Sequence, residues 1–232
     1  MIKILLFDID NTLLSFSCYV KQTMKEGFSF FGLPAYHDSM YDVFERINNG
    51  LWKQIEQGTL TIEELRADRW NLIFSELRFS FDGTVFETYF RKKLYDSAVP
   101  EPGAKELLAG LYGHYPLCVA SNGPYEQQLH RLSVGDMKQY FRHFFISEKI
   151  GVPKPNSEFF DACMRELRET EDRGLLPEEV LMIGDSVSSD IEGAKRYGMK
   201  TCLYCGSGAP VEGAEQADYL VSHLLEIRKI VC

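Results

Sequence analysis

The chain has 232 residues, of which 45% are hydrophobic and 25% charged, with a formal net charge of −9 and a pI near 5.1. These are the proportions of a soluble globular protein, long enough for one large domain or for a domain with a sizeable insertion. The acidic balance argues against a nucleic-acid polymer or an anionic membrane as partner, because both require basic patches, whereas a small anionic substrate needs only local positive charge.

The chain opens with a short apolar run that predicts a strand buried on both faces and that ends at Asp8 and Asp10. In an extended chain these two side chains point to the same side, so both carboxylates face one spot. Two like charges this close are unfavourable unless a cation lies between them or one of them carries a proton. Two interpretations stay open for this stretch alone: a catalytic pair beside a divalent metal, or residues that begin a loop.

Residues 15–97 show helical periodicity and no convincing strand. Breaks at residues 32–34, 58–61 and 80–83 divide this segment, and Thr61 with Glu64 forms a capping box that predicts the start of a helix. The many aromatic residues here are most simply the core of a small helical bundle, although some of them could instead line a pocket. The segment is therefore predicted to be an inserted all-α domain.

From residue 98 onward helices alternate with strands, the strands being predicted at residues 117–120, 180–183, 201–204 and 219–221. This alternation predicts an α/β fold, a Rossmann-like parallel sheet with helices on both faces, built from residues 1–14 and 98–232. Ligands of such sheets bind at the carboxyl ends of the strands. The inserted segment, residues 15–97, leaves from that end, so we expect it to be a helical cap over the site.

Polar residues follow three strands or the loops beside them. Ser121-Asn122-Gly123 ends one strand and precedes a helix, where its hydroxyl, amide and backbone N–H groups suit an anion, although the same tripeptide is an ordinary turn. Lys154 lies between two prolines that restrict its backbone, the alternative being a solvated surface lysine. Asp185 follows a further strand, and Asp190 either adds a second carboxylate or caps the next helix.

Taken together and in this order, these residues resemble the four motifs of the haloacid dehalogenase superfamily of phosphohydrolases. Residues 8–12, ending in Thr12, are similar to the first motif, and residues 121–123 to the second. Lys154 is similar to the third motif and residues 184–190 to the fourth. The resemblance covers the whole chain, with residues 15–97 as the cap inserted after the first motif.

The resemblance implies an Mg²⁺-dependent phosphomonoester hydrolase that acts through an aspartyl-phosphate on the nucleophile Asp8. Asp10 would protonate the leaving oxygen and then deprotonate the attacking water. Mg²⁺ would be held by Asp8, the backbone carbonyl of Asp10 and Asp185, all of which offer hard oxygen ligands.

The remaining motif residues receive supporting roles from the same resemblance. Ser121, Asn122 and Lys154 would bind the phosphoryl oxygens of a small phosphorylated metabolite. Asp190 would bind the metal through water or orient Lys154, and Thr12 would support the first motif.

Residues 146–155 and 184–198 look closest to the pyrimidine 5′-nucleotidase-like branch, which implies a nucleoside 5′-monophosphate as substrate. Sugar-phosphate or phosphoglycolate phosphatases are the main alternatives, and a phosphomutase is less favoured. A 2-haloacid dehalogenase is disfavoured because such enzymes lack a carboxylate at the position of Asp10. A non-catalytic binding protein is disfavoured because Asp8, Asp10, Lys154 and Asp185 are all present.

The six cysteines are scattered, so reduced thiols are expected. Cys202 and Cys205 have CxxC spacing, but no second pair or nearby histidine completes a zinc site. No apolar run approaches the roughly 20 residues of a spanning helix, and the N-terminus lacks the layout of a signal peptide. We therefore expect a cytoplasmic enzyme that is a monomer or a weak homo-oligomer and does not associate with membranes.

Overall fold

The computed structural model describes residues 1–206 and 212–231. The chain divides into two compact units. The α/β unit comprises Met1–Ser15 and Ala98–Cys232, and the helical unit comprises Phe16–Ser97.

The α/β unit is built on one parallel sheet of six strands. The strands are β1 (Ile4–Phe7), β2 (Leu117–Ser121), β3 (His143–Ile146), β4 (Val180–Gly184), β5 (Lys200–Tyr204) and β6 (Tyr219–Val221). Their order is β3-β2-β1-β4-β5-β6, and every neighbouring pair is parallel. The strands predicted at residues 117–120, 180–183, 201–204 and 219–221 are confirmed.

The helical unit contains four helices, α1 (Phe16–Phe30), α2 (Asp38–Glu56), α3 (Ile62–Leu77) and α4 (Gly83–Tyr95). The predicted capping box is confirmed at the start of α3, where the Thr61 hydroxyl accepts from the Glu64 N–H and the Glu64 carboxylate accepts from the Thr61 N–H. The prediction that most aromatic residues form a core is also confirmed. The fully buried rings are those of Phe28, Phe44, Trp70, Phe74, Phe86 and Phe90.

A buried polar cluster interrupts this aromatic core. The Arg69 guanidinium donates to both carboxylate oxygens of Glu87, at 2.7 and 3.1 Å, and to the side-chain oxygen of Asn48 at 3.1 Å. The same guanidinium lies 4.7 Å from the centre of the Phe90 ring. Arg69, Glu87 and Asn48 are all buried. Because removing a charge from water is costly, the buried charges of Arg69 and Glu87 need each other as partners.

Helices cover both faces of the sheet. They are α5 (Ala104–Leu111), α6 (Tyr125–Val134), α7 (Ser147–Ile150), α8 (Ser157–Thr170), α9 (Gly193–Tyr197) and α10 (Arg228–Val231), and a π-helical turn, Val187–Glu192, precedes α9. Within β1, Leu5 packs in a cluster with residues of α5, whereas Leu6 packs in a second cluster with residues of α8. Because successive side chains of a strand point to opposite faces, the two clusters lie on opposite sides of the sheet. The predicted fold class is confirmed.

The strand order places a natural binding site beside β1. The chain runs outward from β1 to β2 and β3 on one side, and through β4 to β5 and β6 on the other. Ligands of doubly wound sheets bind where the strand order reverses, beyond the carboxyl ends of the strands. The residues that follow β1 and β4 therefore lie at the expected binding position.

Two further predictions concern membranes and thiols. Within residues 1–206 and 212–231, no helix combines the length and apolar character needed to cross a bilayer. The free cysteines of this part of the chain are Cys18, Cys118, Cys163, Cys202 and Cys205. Cys232 lies outside the described residues.

Candidate active site

Three carboxylates converge at the reversal of the strand order. Asp8 follows β1 and Asp185 follows β4, and the register pairs Phe7 with Ile183 just before them. Asp190 lies one turn further, inside the π-helical segment. Oxygen atoms of the three side chains all lie within 4.8 Å of one another. Asp8 and Asp190 are buried, whereas Asp185 is partly exposed.

Lys154 provides the positive charge of this cluster. Its ammonium group donates to Asp8 at 2.8 Å, to Asp190 at 2.6 Å and to the backbone oxygen of Ala120 at 2.7 Å. The three donors of the ammonium group are thus matched by three acceptors. Lys154 is 1% exposed, so the alternative of a solvated surface lysine is wrong.

Burial and mutual repulsion shift the titration of the acidic groups. Burial raises the pKa of the Asp8 carboxyl from 3.8 to about 7, and Asp190 and Asp10 add to this rise while Lys154 opposes it. Burial also raises the pKa of Asp185, with further contributions from the charges of Asp8 and Asp190. Burial disfavours the charged form of Lys154, but the two carboxylates that it contacts outweigh this and raise its pKa. Asp8 and Asp185 therefore keep their protons to higher pH than free carboxyl groups do.

The donor set suits a hard divalent cation. When ionised, Asp8, Asp185 and Asp190 are three carboxylates against the single ammonium of Lys154, so one added divalent ion would balance the charge. Carboxylate oxygens are the ligands that Mg²⁺ prefers. These residues fit the predicted metal, and Asp190, which is within reach of the same site, also contacts Lys154. The Asp10 carboxylate is not part of the cluster, which leaves its backbone carbonyl as the predicted ligand.

Ser121 and Asn122, at the end of β2, have different surroundings. The Ser121 hydroxyl accepts from the Gly123 N–H at 3.2 Å and from the Gln128 side-chain amide at 3.0 Å. With both lone pairs engaged, its own hydrogen is left to donate. The Asn122 side chain instead accepts from the backbone N–H of Lys154 at 2.8 Å and donates to the Lys154 carbonyl at 3.0 Å. It therefore fixes the lysine backbone.

The structure adds two residues that the sequence did not indicate. Gln128 and Arg131, on α6, both donate to the Asp10 carboxylate, at 2.8 and 2.7 Å. Both are fully buried. A signal was present, because a glutamine and an arginine three residues apart share one face of the helix that follows Ser121-Asn122-Gly123. Sequence alone does not show that this face is turned inward.

Three residues of the predicted motifs, Gly184, Asp190 and Thr12, are buried. A Cβ atom on Gly184 would collide with the carboxylate of Asp190, so glycine is required where the end of β4 passes this side chain. Asp190 itself accepts from the backbone N–H of Ser186 at 3.0 Å and lies inside the turn, so it does not cap the following helix. Thr12 is fully buried, and its hydroxyl has no hydrogen-bond partner in the described part of the chain.

The chain matches the haloacid dehalogenase-like hydrolase family over residues 2–198. It belongs to that family. The prediction of an enzyme from this superfamily is confirmed.

Among the relatives of this haloacid dehalogenase-like hydrolase is the HAD-hydrolase YfnB of Bacillus subtilis, 30% identical over 86% of this chain and 83% of YfnB. The crystal structure of YfnB bound to magnesium superposes with a TM-score of 0.87, at 28% identity over 99% of this chain and 98% of YfnB. The pyrimidine 5′-nucleotidase PynA of Streptococcus pneumoniae is 31% identical over 87% of this chain and 83% of PynA. The pyrimidine 5′-nucleotidase YjjG of Escherichia coli is 27% identical over 97% and 96%. The predicted similarity to the pyrimidine 5′-nucleotidase-like branch is confirmed.

Proposed function

We propose that the chain is an Mg²⁺-dependent phosphomonoester hydrolase in which Asp8 becomes phosphorylated. One observation carries the proposal: the Asp8 carboxylate is bound by a buried lysine and lies within 4.8 Å of carboxylate oxygens of Asp185 and Asp190. A nucleophile held in this way has a fixed direction of attack. Asp10, a third of whose side chain is exposed, lies two residues away as the proton carrier.

In the first step a carboxylate oxygen of Asp8 attacks phosphorus and the bond from phosphorus to the ester oxygen breaks. That oxygen takes a proton from the Asp10 carboxyl group and leaves as an alcohol. In the second step water attacks phosphorus and gives a proton to Asp10. The bond between phosphorus and Asp8 breaks, inorganic phosphate leaves, and both carboxyl groups return to their starting forms.

The other residues of the site stabilise the phosphoryl group and its surroundings. Ser121 donates its hydroxyl hydrogen to a phosphoryl oxygen, and Lys154 offsets part of the negative charge of Asp8 and Asp190. Asn122 acts through Lys154, whose backbone it holds. Mg²⁺ held by Asp8, Asp185, Asp190 and the Asp10 carbonyl would reduce the repulsion between an anionic nucleophile and an anionic phosphate.

Nucleoside 5′-monophosphates are the proposed substrates. The support comes from PynA and YjjG, both named pyrimidine 5′-nucleotidases. We further propose that the helical unit is the cap that selects the leaving group. Sugar phosphates are the alternative substrates, and exchange of residues 15–97 for the corresponding segment of a relative is expected to change the preference.

The proposal is tested by phosphate release from pyrimidine and purine nucleoside monophosphates, sugar phosphates and phosphoglycolate, with and without Mg²⁺. We expect hydrolysis that requires Mg²⁺, is abolished by EDTA and falls by at least about a thousandfold in Asp8→Asn, because an amide is not a nucleophile. With 2,4-dinitrophenyl phosphate, whose leaving group needs no proton, a phosphorylated protein that accumulates in Asp10→Asn is the second expected result. Activity retained by Asp8→Asn would overturn the assignment of the nucleophile.

A further inference from the structure

Two side chains of helix α6 donate hydrogen bonds to the carboxylate of Asp10. Arg131 Nη1 donates to Asp10 Oδ1 at 2.7 Å, and Gln128 Nε2 donates to Asp10 Oδ2 at 2.8 Å. Arg131 Nη1 also donates to Gln128 Oε1 at 2.9 Å, so the two donors hold each other in place. The three side chains form a closed ring of hydrogen bonds that fixes the plane of the carboxyl group.

The burial of this pair distinguishes it from an ordinary surface ion pair. The side chain of Arg131 is 1% exposed, whereas that of Asp10 is 34% exposed. Gln128 is completely buried. An arginine and a glutamine are costly to remove from water, and here their polar groups converge on one carboxylate that still faces outward. Each oxygen of Asp10 has a second lone pair, so these contacts orient the group without blocking it.

Gln128 links this carboxylate to the end of β2. The same amide nitrogen that donates to Asp10 also donates to the Ser121 hydroxyl at 3.0 Å. A Cβ atom on Gly123 would collide with this amide, so glycine at position 123 makes room for it. The buried Gln128 side chain thereby orients both the Asp10 carboxylate and the Ser121 hydroxyl.

We infer that Arg131 and Gln128 are positioning residues, which hold Asp10 in the orientation from which it exchanges a proton with the leaving oxygen and with water. The inference rests on the proposed function, because it needs Asp10 to be the proton carrier. Arg131 and Gln128 do not touch the substrate in this scheme. Arg131 acts on the reaction only through Asp10, whereas Gln128 acts through both Asp10 and Ser121.

The test compares two esters in Arg131→Met. One is the alkyl phosphate that the wild-type protein hydrolyses fastest, whose leaving oxygen needs a proton, and the other is 2,4-dinitrophenyl phosphate, whose leaving group departs as a stable anion. General acid catalysis contributes about 10²–10⁴-fold. We therefore expect kcat/KM to fall at least about thirtyfold for the alkyl ester and less than about threefold for the aryl ester. Arg142→Met, which removes an exposed arginine of the same unit, should leave the ratio unchanged.

A double-mutant comparison separates positioning from general damage. In an Asp10→Asn background, Arg131→Met should cause no further loss of kcat/KM for the alkyl ester, because both changes remove the same contribution. If Arg131→Met does not fold, Gln128→Met provides the same comparison. The lost contact between Gln128 and Ser121 should lower kcat/KM for both esters alike. The ratio of the two kcat/KM values therefore reports on Asp10.

The outcomes are distinguishable. Equal losses for both esters in an otherwise active protein, or losses that multiply in the Asp10→Asn background, would overturn the positioning role alone. A folded wild-type protein that hydrolyses neither ester in Mg²⁺ would overturn the proposed function and this inference with it.

Discussion

At the scale of single residues, Lys154 is the residue on which the site depends most. Its ammonium group has three acceptors, two of them carboxylates, and the whole side chain is buried. Lys154→Met would leave Asp8 and Asp190 buried without a counter-charge. Loss of one partner of a buried ion pair costs about 3–5 kcal/mol. We expect the free energy of unfolding of the metal-free protein to fall by about this amount in urea titrations.

Mg²⁺ should restore part of the stability lost in Lys154→Met, because a bound cation supplies the missing positive charge. The matched control is Lys105→Met, since Lys105 is an exposed lysine whose ion pair with Asp136 spans 3.6 Å. We expect little change in this control. A metal-free Lys154→Met protein as stable as the wild type would contradict the account of Lys154 as the buried counter-charge of Asp8 and Asp190.

The residues of the site differ in how far the sequence predicts them. Asp8, Asp10 and Asp185 follow predicted strands, so the parallel arrangement of the sheet alone brings them to one edge. Gln128 and Arg131 contact Asp10 across 118 and 121 positions of the chain. Such a contact depends on the rotation of α6 against the sheet, which helical periodicity does not fix. Whether the Asn122 amide faces a substrate or the Lys154 backbone is likewise decided by tertiary structure.

At the scale of elements, the aromatic helices of the helical unit are tied together by Arg69. Its guanidinium joins α3 to Glu87 on α4 and to Asn48 on α2, within 3.1 Å in each case. Glu87→Gln would leave the Arg69 charge buried without its counter-ion. We expect a loss of about 3–5 kcal/mol in the free energy of unfolding, measured by chemical denaturation. The double variant Arg69→Met/Glu87→Met should be more stable than Glu87→Gln, because it buries no unpaired charge.

A Glu87→Gln protein as stable as the wild type would show that the Arg69 charge has another compensating contact. The sequence predicts the four helices of this unit well, since apolar periodicity and a capping box mark them. It does not predict the ion pair. Arg69 and Glu87 lie within the apolar stripes of α3 and α4, four residues after Leu65 and three residues before Phe90, and only the packing of the two helices brings the two charges together.

At the scale of the whole molecule, the raised pKa values of the active-site carboxyls couple stability to pH. An unfolded chain releases the proton of Asp8 near pH 4, whereas the folded, metal-free protein keeps it until about pH 7. The pKa of Asp185 is shifted in the same direction. Between these limits the folded state binds more protons than the unfolded state. These carboxyls therefore lower the stability of the metal-free protein as pH rises from about 4 to 7.

The affinity for Mg²⁺ should instead rise over the same pH range. Since the metal binds carboxylates, it must displace each proton that the folded protein still holds. We expect the Kd for Mg²⁺, measured by calorimetry at constant ionic strength, to fall about tenfold per pH unit for each proton displaced. Above about pH 7, where Asp8 is ionised, the metal displaces one proton fewer, so Kd should fall less steeply with pH. Asp8→Asn lacks that proton and should show a shallower slope below pH 7. A Kd that is constant between pH 5 and 7 would mean that the carboxyls are already ionised in the metal-free protein, and that Lys154 alone offsets their burial.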